Sequence, residues 1–253
     1  MDRKDKTNYF INTVSNALNL LNLLSDLGGE AGVTELANGL GLHKNNIFRL
    51  LATLEHHGFV EQNQLNDNYS LGAANLKIAQ SYLINSDIIQ KANFWLTNLN
   101  ENINESISLV KLVGDTTYYP IHIDSQMSVR VASRVGYKIA SRDTLTGRLL
   151  SANATKANDE FKKYSGKDSA MDNGDLENEV FTFSYLLKGM GQKILGAVEV
   201  RAPLYRAEKD LIIQHSTKIA NKISSYFADQ ITSLENKVMV DISKEGKDVA
   251  KNF

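Results

Sequence analysis

Residues 34–70, TELANGLGLHKNNIFRLLATLEHHGFVEQNQLNDNYS, constrain the fold more than any other stretch of the chain. Thr34 has a hydroxyl that can accept a free backbone N–H at a helix start, predicting a short helix with Leu36, Ala37 and Leu40 facing inward. Gly41 supplies a turn. A second helix is expected from about His43 to His57, because Ile47, Leu50, Leu51 and Leu54 follow the spacing of one buried face. Gly58 stands where a helix can end on a left-handed residue. Phe59 and Val60 then open a strand, Asn66-Asp67-Asn68 turns, and Tyr69 to Leu71 returns.

Short helix, turn, longer helix and hairpin, in that order, are the parts of a winged helix-turn-helix, which lays its second helix in a DNA major groove. Lys44, Asn45, Asn46 and Arg49 fall on the outer surface of the second helix's first half. Amides can read adenine edges, arginine can read guanine or clamp phosphate, and the helix N-terminus itself attracts phosphate. Gln62, Asn63, Gln64 and Asn68 decorate the hairpin tip. The candidate DNA-binding set is therefore Thr34, Lys44, Asn45, Asn46, Arg49, Gln62, Asn63 and Asn68. A helix with leucines inside and polar residues outside is ordinarily only amphipathic. It is the order of the parts that points to DNA.

Charge argues mildly the other way. The whole chain carries −1, and residues 1–87 hold six basic against nine acidic side chains, a balance of −3. A strongly basic face is the usual footprint of DNA binding. Positive potential here has to be local, so modest affinity per subunit and reliance on dimerisation are expected.

At 253 residues the chain can hold two domains, each with its own core. It has no cysteine, no apolar run of membrane-span length and no signal-peptide core in MDRKDKTNYF, which suits a cytoplasmic protein with no membrane partner. Residues 1–10 read as loose. Asn12 or Thr13 is expected to cap a first helix with an apolar stripe of Val14, Leu18, Leu21, Leu24 and Leu27, stopped by Gly28-Gly29. Residues 73–85 read as a helix too apolar for a solvated linker, packing on its counterpart in a second subunit. A second domain starts near Ser86-Asp87 with a helix burying Ile88, Ala92, Trp95, Leu96 and Leu99.

Strands are expected at 107–113, 118–123 and 128–135, from β-branched content and alternation. A helix at 144–154 with Thr144 as cap follows, then a polar loop or short helix at 156–178. A hairpin of 180–187 and 193–200 and a long helix from about Arg206 to Ala228 close the domain. A mixed sheet covered by helices behind a DNA reader suggests a small-molecule sensor, GAF- or PAS-like, between which pattern alone does not choose.

With both halves in view, the chain resembles an IclR-type transcriptional regulator. ALNLLNLLSDLGGEAGVTELANGLGLHKNNIFRLLATLEHHGFV and the following YSLG resemble that family's winged-helix signature. VRVASRVGYKIASRDTLTGRLLSA (129–152) and GQKILGAVEVRAP (191–203) resemble its GAF-like effector domain. The resemblance covers roughly residues 10 to 228. It implies an α+β chain with winged helix-turn-helix at 10–72, a linker and dimerisation helix at 73–86, a shortened GAF-like mixed α/β effector-binding domain at 87–230 and a tail at 231–253.

The resemblance further implies a homodimer or homotetramer on a palindromic operator, answering a small organic acid. It places the effector site at Gly136, Tyr137, Asp172, Thr182, Ser184, Glu199 and Arg201. Two features depart from the family pattern. Small residues usually stand where Glu199 and Arg201 do, and the stretch between GRLLSA and MDNGDLENE is shorter here, which is expected to remove one wall of the pocket.

Other chemistry is not indicated. His56-His57 suit a helix C-terminus better than a metal, and no phosphate loop or nucleophile elbow is present. The carboxylates Asp172, Asp175, Glu177 and Glu179 read as a solvated loop rather than a catalytic pair. Arg201 reads either as a carboxylate clamp or as an exposed strand residue. The expectation is a DNA-binding regulator, a repressor in sense, with no enzyme activity, cofactor or metal. The alternative is a dimeric interaction module, or a ligand-independent regulator whose second domain only oligomerises.

Overall fold

The computed structural model describes residues 10–154 and 159–228. The expected loose N-terminus and the tail at 231–253 thus fall outside the described residues, except for Phe10. The chain divides into two compact units between Asn85 and Ser86.

The first unit runs α1 (Asn12–Leu27), α2 (Val33–Leu40), α3 (Lys44–His56), β1 (Val60–Gln62), β2 (Tyr69–Leu71) and α4 (Ala74–Ile84). Its core joins Leu20 and Leu24 of α1, Leu36 and Ala37 of α2, and Ile47, Leu50, Leu51 and Leu54 of α3 with Val60 and Tyr69 of the hairpin. Gly41 takes φ +64° after α2, and Leu42 N–H reaches back to the Ala37 carbonyl at 3.0 Å. Gly58 does the same after α3 at φ +71°, with Phe59 N–H on the Leu54 carbonyl at 2.8 Å. Both helices therefore stop on left-handed glycines whose following amide satisfies a terminal carbonyl.

Three local expectations change. α2 starts at Val33 after an extended Gly32, so Thr34 lies exposed in the first turn and does not cap it. α1 starts after Ile11 without a side-chain cap. The buried face of α1 holds Leu20 and Leu24, while Val14, Leu18 and Leu27 remain 52, 57 and 44% exposed. Leucine occupies most sides of this helix, so periodicity alone does not select the side that meets α2 and α3. α4 buries none of its residues within the unit; Leu76, Ile78, Tyr82 and Ile84 are all exposed.

The second unit opens with α5 (Asp87–Ile103), then β3 (Ser106–Val113), β4 (Thr116–Ile123), β5 (Lys138–Ala140), α6 (Leu145–Ala152), β6 (Ser169–Asn173), β7 (Val180–Lys188) and β8 (Ile194–Pro203). A last helix, α7, covers 209–228 of the described residues. The six strands order as β5-β4-β3-β8-β7-β6. Every pairing is antiparallel, so the sheet is not mixed. Alternate residues on both faces are buried: Ile107, Leu109, Phe181, Phe183, Val198 and Val200 on one, Val110, Leu186 and Ala197 on the other. The latter three pack with Leu145, Leu149 and Leu150 of α6. Of the α5 residues expected inside, Ala92, Leu96 and Leu99 are buried, but Ile89 replaces Ile88, and Trp95 is half-buried, edge-on to Tyr226 with centroids 5.2 Å apart.

The strand expected at 128–135 does not form. Its carbonyls are taken by side chains instead of a ladder: Ser106 Oγ donates to Val131 O, Arg201 Nη1 to Ala132 O and Arg206 Nη1 to Val129 O. Alternation in that segment comes from a strap that sends Val131 into the core and Arg134 into a cleft. Two short strands, β5 and β6, lie where loop was expected, both at sheet edges.

Candidate functional site

Two sites emerge, one per unit. On α3 the four buried aliphatic residues set the helix's rotation, and Lys44, Asn45, Asn46 and Arg49 are all exposed. Phe48 lies among them with 58% of its surface exposed, a residue that sequence reasoning left out. An apolar side chain on such a helix can meet a thymine methyl. The signal was available, since Phe48 stands off the leucine spacing.

The wing is stiffened from within. Glu30 accepts from Asn63 Nδ2 through Oε1 and from Asn66 Nδ2 through Oε2, both at 2.8 Å. Asn63 Oδ1 also accepts from Leu65 N–H at 2.9 Å, so the Asn63 carboxamide is occupied in holding the loop. Gln62 Nε2 donates to Asp67 O at 3.3 Å, and Asn68 is half-buried. Leu65, at the tip, is 96% exposed.

In the second unit, register aligns polar residues across the sheet. His122, Ser108, Glu199 and Ser184 are successive partners over β4, β3, β8 and β7. Ser106, Arg201, Thr182 and Asp172 form the next row over β3, β8, β7 and β6. This end of the sheet forms one wall of a cleft of about 110 Å³, shared with Arg134 of the strap, Glu177 of the β6–β7 connection and Thr144 and Leu145 at the start of α6. Thr144 is the N-cap of α6, accepting Gly147 N–H at 3.0 Å. Gly147 is required there: a Cβ would stand 2.4 Å from the Ser141 carbonyl oxygen.

Glu199 is 1% exposed, and Thr146 Oγ1 donates to its Oε2. With its one proton so used, Thr146 accepts from Ser184 Oγ at 2.5 Å. Glu199 Oε1 has no hydrogen-bond partner, and its nearest cation is Arg134 Nη1 at 3.8 Å. Burial alone would lower the Arg134 pKa, but Glu199, Tyr119 and Glu177 together hold it above its ordinary value. Tyr119, by contrast, is pushed up chiefly by burial and then by Glu199. Arg134 Nη2 and Arg201 Nη2 both donate to Glu177, at 2.8 Å and at 2.5 and 2.7 Å to its two oxygens.

Of the residues that the resemblance placed at an effector site, Asp172, Thr182 and Glu199 line the cleft. Ser184 and Arg201 lie behind it through Thr146 and Glu177. Gly136 and Tyr137 do not join them; both are exposed, Tyr137 to 66%. Gly136 turns the strap at φ +84°, and that is its visible role. Asp172 lines the wall while its Oδ2 accepts Gly174 and Leu176 N–H, shaping the connection that carries Glu177. Arg201 is 4% exposed, which rules out the exposed-strand reading. Arg134, Thr144, Thr146 and Glu177 were missed as site residues, because tertiary contact and not local pattern gathers them. Among the described residues no group of three or more histidine or acidic side chains is placed to hold a metal ion, and no helix is long and apolar enough to cross a membrane.

Comparison with known proteins agrees with this architecture. Residues 13–64 match the IclR helix-turn-helix domain and residues 80–169 the bacterial transcriptional regulator IclR C-terminal domain. The HTH-type transcriptional regulator XynR of Escherichia coli is 31% identical over 142 residues, covering 56% of each chain; the match spans about half that relative's length. The IclR transcriptional regulator from Alicyclobacillus acidocaldarius shares the fold with TM-score 0.74 at 20% identity, over 87% of this chain and all of that one. An IclR homologue from Microbacterium hydrocarbonoxydans, crystallised with 4-hydroxybenzoate, does so with TM-score 0.68 at 13% identity, over 84% of this chain and 98% of that one. With a helix-turn-helix unit and an antiparallel α+β unit in the order these proteins share, the chain belongs to the IclR family of transcriptional regulators.

Proposed function

We propose that the protein is a cytoplasmic repressor that binds a palindromic double-stranded operator as a homodimer or tetramer, and that a small organic acid bound in the cleft controls it. The observation that carries the DNA-binding part is α3: Lys44, Asn45, Asn46 and Arg49 are exposed on a helix whose rotation four buried aliphatics determine. Self-association is supported by α4, which buries nothing within its own unit, and by the exposed Ile11 and, on α1, Val14 and Leu18. The cleft and its buried arginine support a ligand, and control follows if the ligand favours one arrangement of the paired winged helices over another.

The test is operator retention by the full chain, with the operator recovered by selection from random duplex DNA. Arg49→Ala should weaken binding and reduce the dependence of log affinity on log salt by about one unit, the loss of one phosphate contact. The acidic balance of the first unit favours a second reading, a protein-binding module. Under that reading no sequence is enriched and Arg49→Ala changes nothing.

A further inference from the structure

We propose that Arg134 and Arg201 form a carboxylate subsite in the cleft, and that Glu177 is its resident occupant, a side chain standing where an effector carboxylate binds after displacing it. This rests on the reading that the cleft takes a small-molecule effector.

The charged groups around the cleft differ in how deeply they are held. Arg201 and Glu199 project from β8, a central strand, and are 4 and 1% exposed. Glu177 sits on the six-residue connection 174–179, with 38% of its side chain exposed. It pairs with both guanidiniums and is the most exposed of the trio, against 20% for the Arg134 side chain and 5% for that of Arg201. Arg201 is reached from the cleft through it.

Glu177 also fits the arginine poorly. A carboxylate that meets a guanidinium side-on uses Nε and Nη2 in parallel, one oxygen each. Here both Glu177 oxygens crowd Nη2, at 2.5 and 2.7 Å, and the buried Arg201 Nε is left without a partner. A connection of six residues fixes how Glu177 approaches; an untethered carboxylate has no such restraint. The second orphan, Glu199 Oε1 in the cleft wall, calls for a donor. A small carboxylate bearing a hydroxyl answers both groups.

Charge selects the ligand class. Exchanging Glu177 for a carboxylate leaves the buried charge unchanged, whereas a neutral ligand that displaced it would strand Arg201 unpaired, which is costly. The tethered Glu177 acts at high effective concentration, so in the native chain only a well-fitting acid competes.

The test uses the full chain with sodium acetate and sodium glycolate as probes, against sodium chloride at equal ionic strength and pH. Thermal unfolding is followed for the wild type, Glu177→Ala and Glu177→Gln. Both variants should melt below the wild type in chloride and regain stability in acetate, saturably, with half-effect at least tenfold lower in concentration than for the wild type. Glycolate should act at lower concentration than acetate, through Glu199. A variant that folds only with a carboxylate present gives the same answer. Carboxylates no better than chloride in Glu177→Gln, or acting alike on variant and wild type, overturn the subsite. Operator retention is measured in parallel: rescue by acetate without any change in DNA binding supports the subsite and removes effector control, so the two readings fail separately.

Discussion

Arg206 meets Glu105 across 101 residues of sequence in a forked pair, Nε to Oε1 and Nη2 to Oε2, both at 2.8 Å. Glu105 is 6% exposed and stands just before β3, while Arg206 lies between β8 and α7 and gives Nη1 to the strap at Val129 O. One guanidinium thus ties together the start of the sheet, its end and the strap that delivers Arg134. Glu105, chiefly through its hydrogen bonds, holds Arg206 well above the ordinary arginine value. Arg206→Ala should cost on the order of 3 kcal/mol, because it strands a buried carboxylate. Equilibrium urea unfolding measures it, and the double variant Glu105→Gln with Arg206→Met should recover much of the loss.

The wing should respond to acid through Glu30. Hydrogen bonds from Asn66 and then Asn63 lower its pKa below the ordinary carboxylate value. A depressed folded pKa means that the stabilisation is present above the unfolded value and is lost as pH falls through the folded one. Amide exchange at 63–68 should be faster in Glu30→Gln than in the wild type at neutral pH, and the two should converge in acid.

His122 makes the second unit pH-sensitive in a different window. Its Nδ1 meets Ser108 Oγ at 2.9 Å and its Nε2 meets Asp124 Oδ1 at 3.2 Å. Burial pushes its pKa below the ordinary histidine value, with Asp124 opposing. The unfolded chain then takes up the proton first, so stability is full above the unfolded value of about 6.5 and declines as pH falls toward the folded one. Melting temperature between pH 7.5 and 5 should fall more steeply for the wild type than for His122→Asn.

Phe48 and Arg49 should separate under the DNA-binding reading. Phe48→Ala removes an exposed apolar contact and no charge, so operator affinity should drop by about 1 kcal/mol at A·T positions with the salt slope unchanged. Its folding stability should stay within about 0.5 kcal/mol, since Phe48 is 58% exposed and outside the core. Fluorescence anisotropy at several salt concentrations distinguishes this from Arg49→Ala, which lowers the slope.

Local pattern carried the first unit almost entirely. Apolar spacing, left-handed glycines and a turn-rich hairpin act within a few residues of one another, so Ile47, Leu50, Leu51, Leu54, Gly41 and Gly58 could be placed from sequence alone. Only α1 was misplaced in rotation, where leucine on most sides made the periodicity ambiguous. β3, β4, β7, β8 and the Thr144 cap of α6 were legible for the same reason, as β-branched alternation and a capping hydroxyl are local signals.

The cleft was legible only in fragments. Asp172, Thr182 and Glu199 line it, but its charged centre is the meeting of Arg134, Glu177 and Arg201, drawn from a strap, a turn and a central strand. No short-range rule determines such a meeting. Sheet register decides which polar residues share a row, and a segment that looked like a strand became a strap because distant arginine and serine side chains took its carbonyls. Composition and spacing determined the helices and the four central strands. The long-range pairing of charges that cannot be buried alone decided where the cleft lies and which charged groups meet in it.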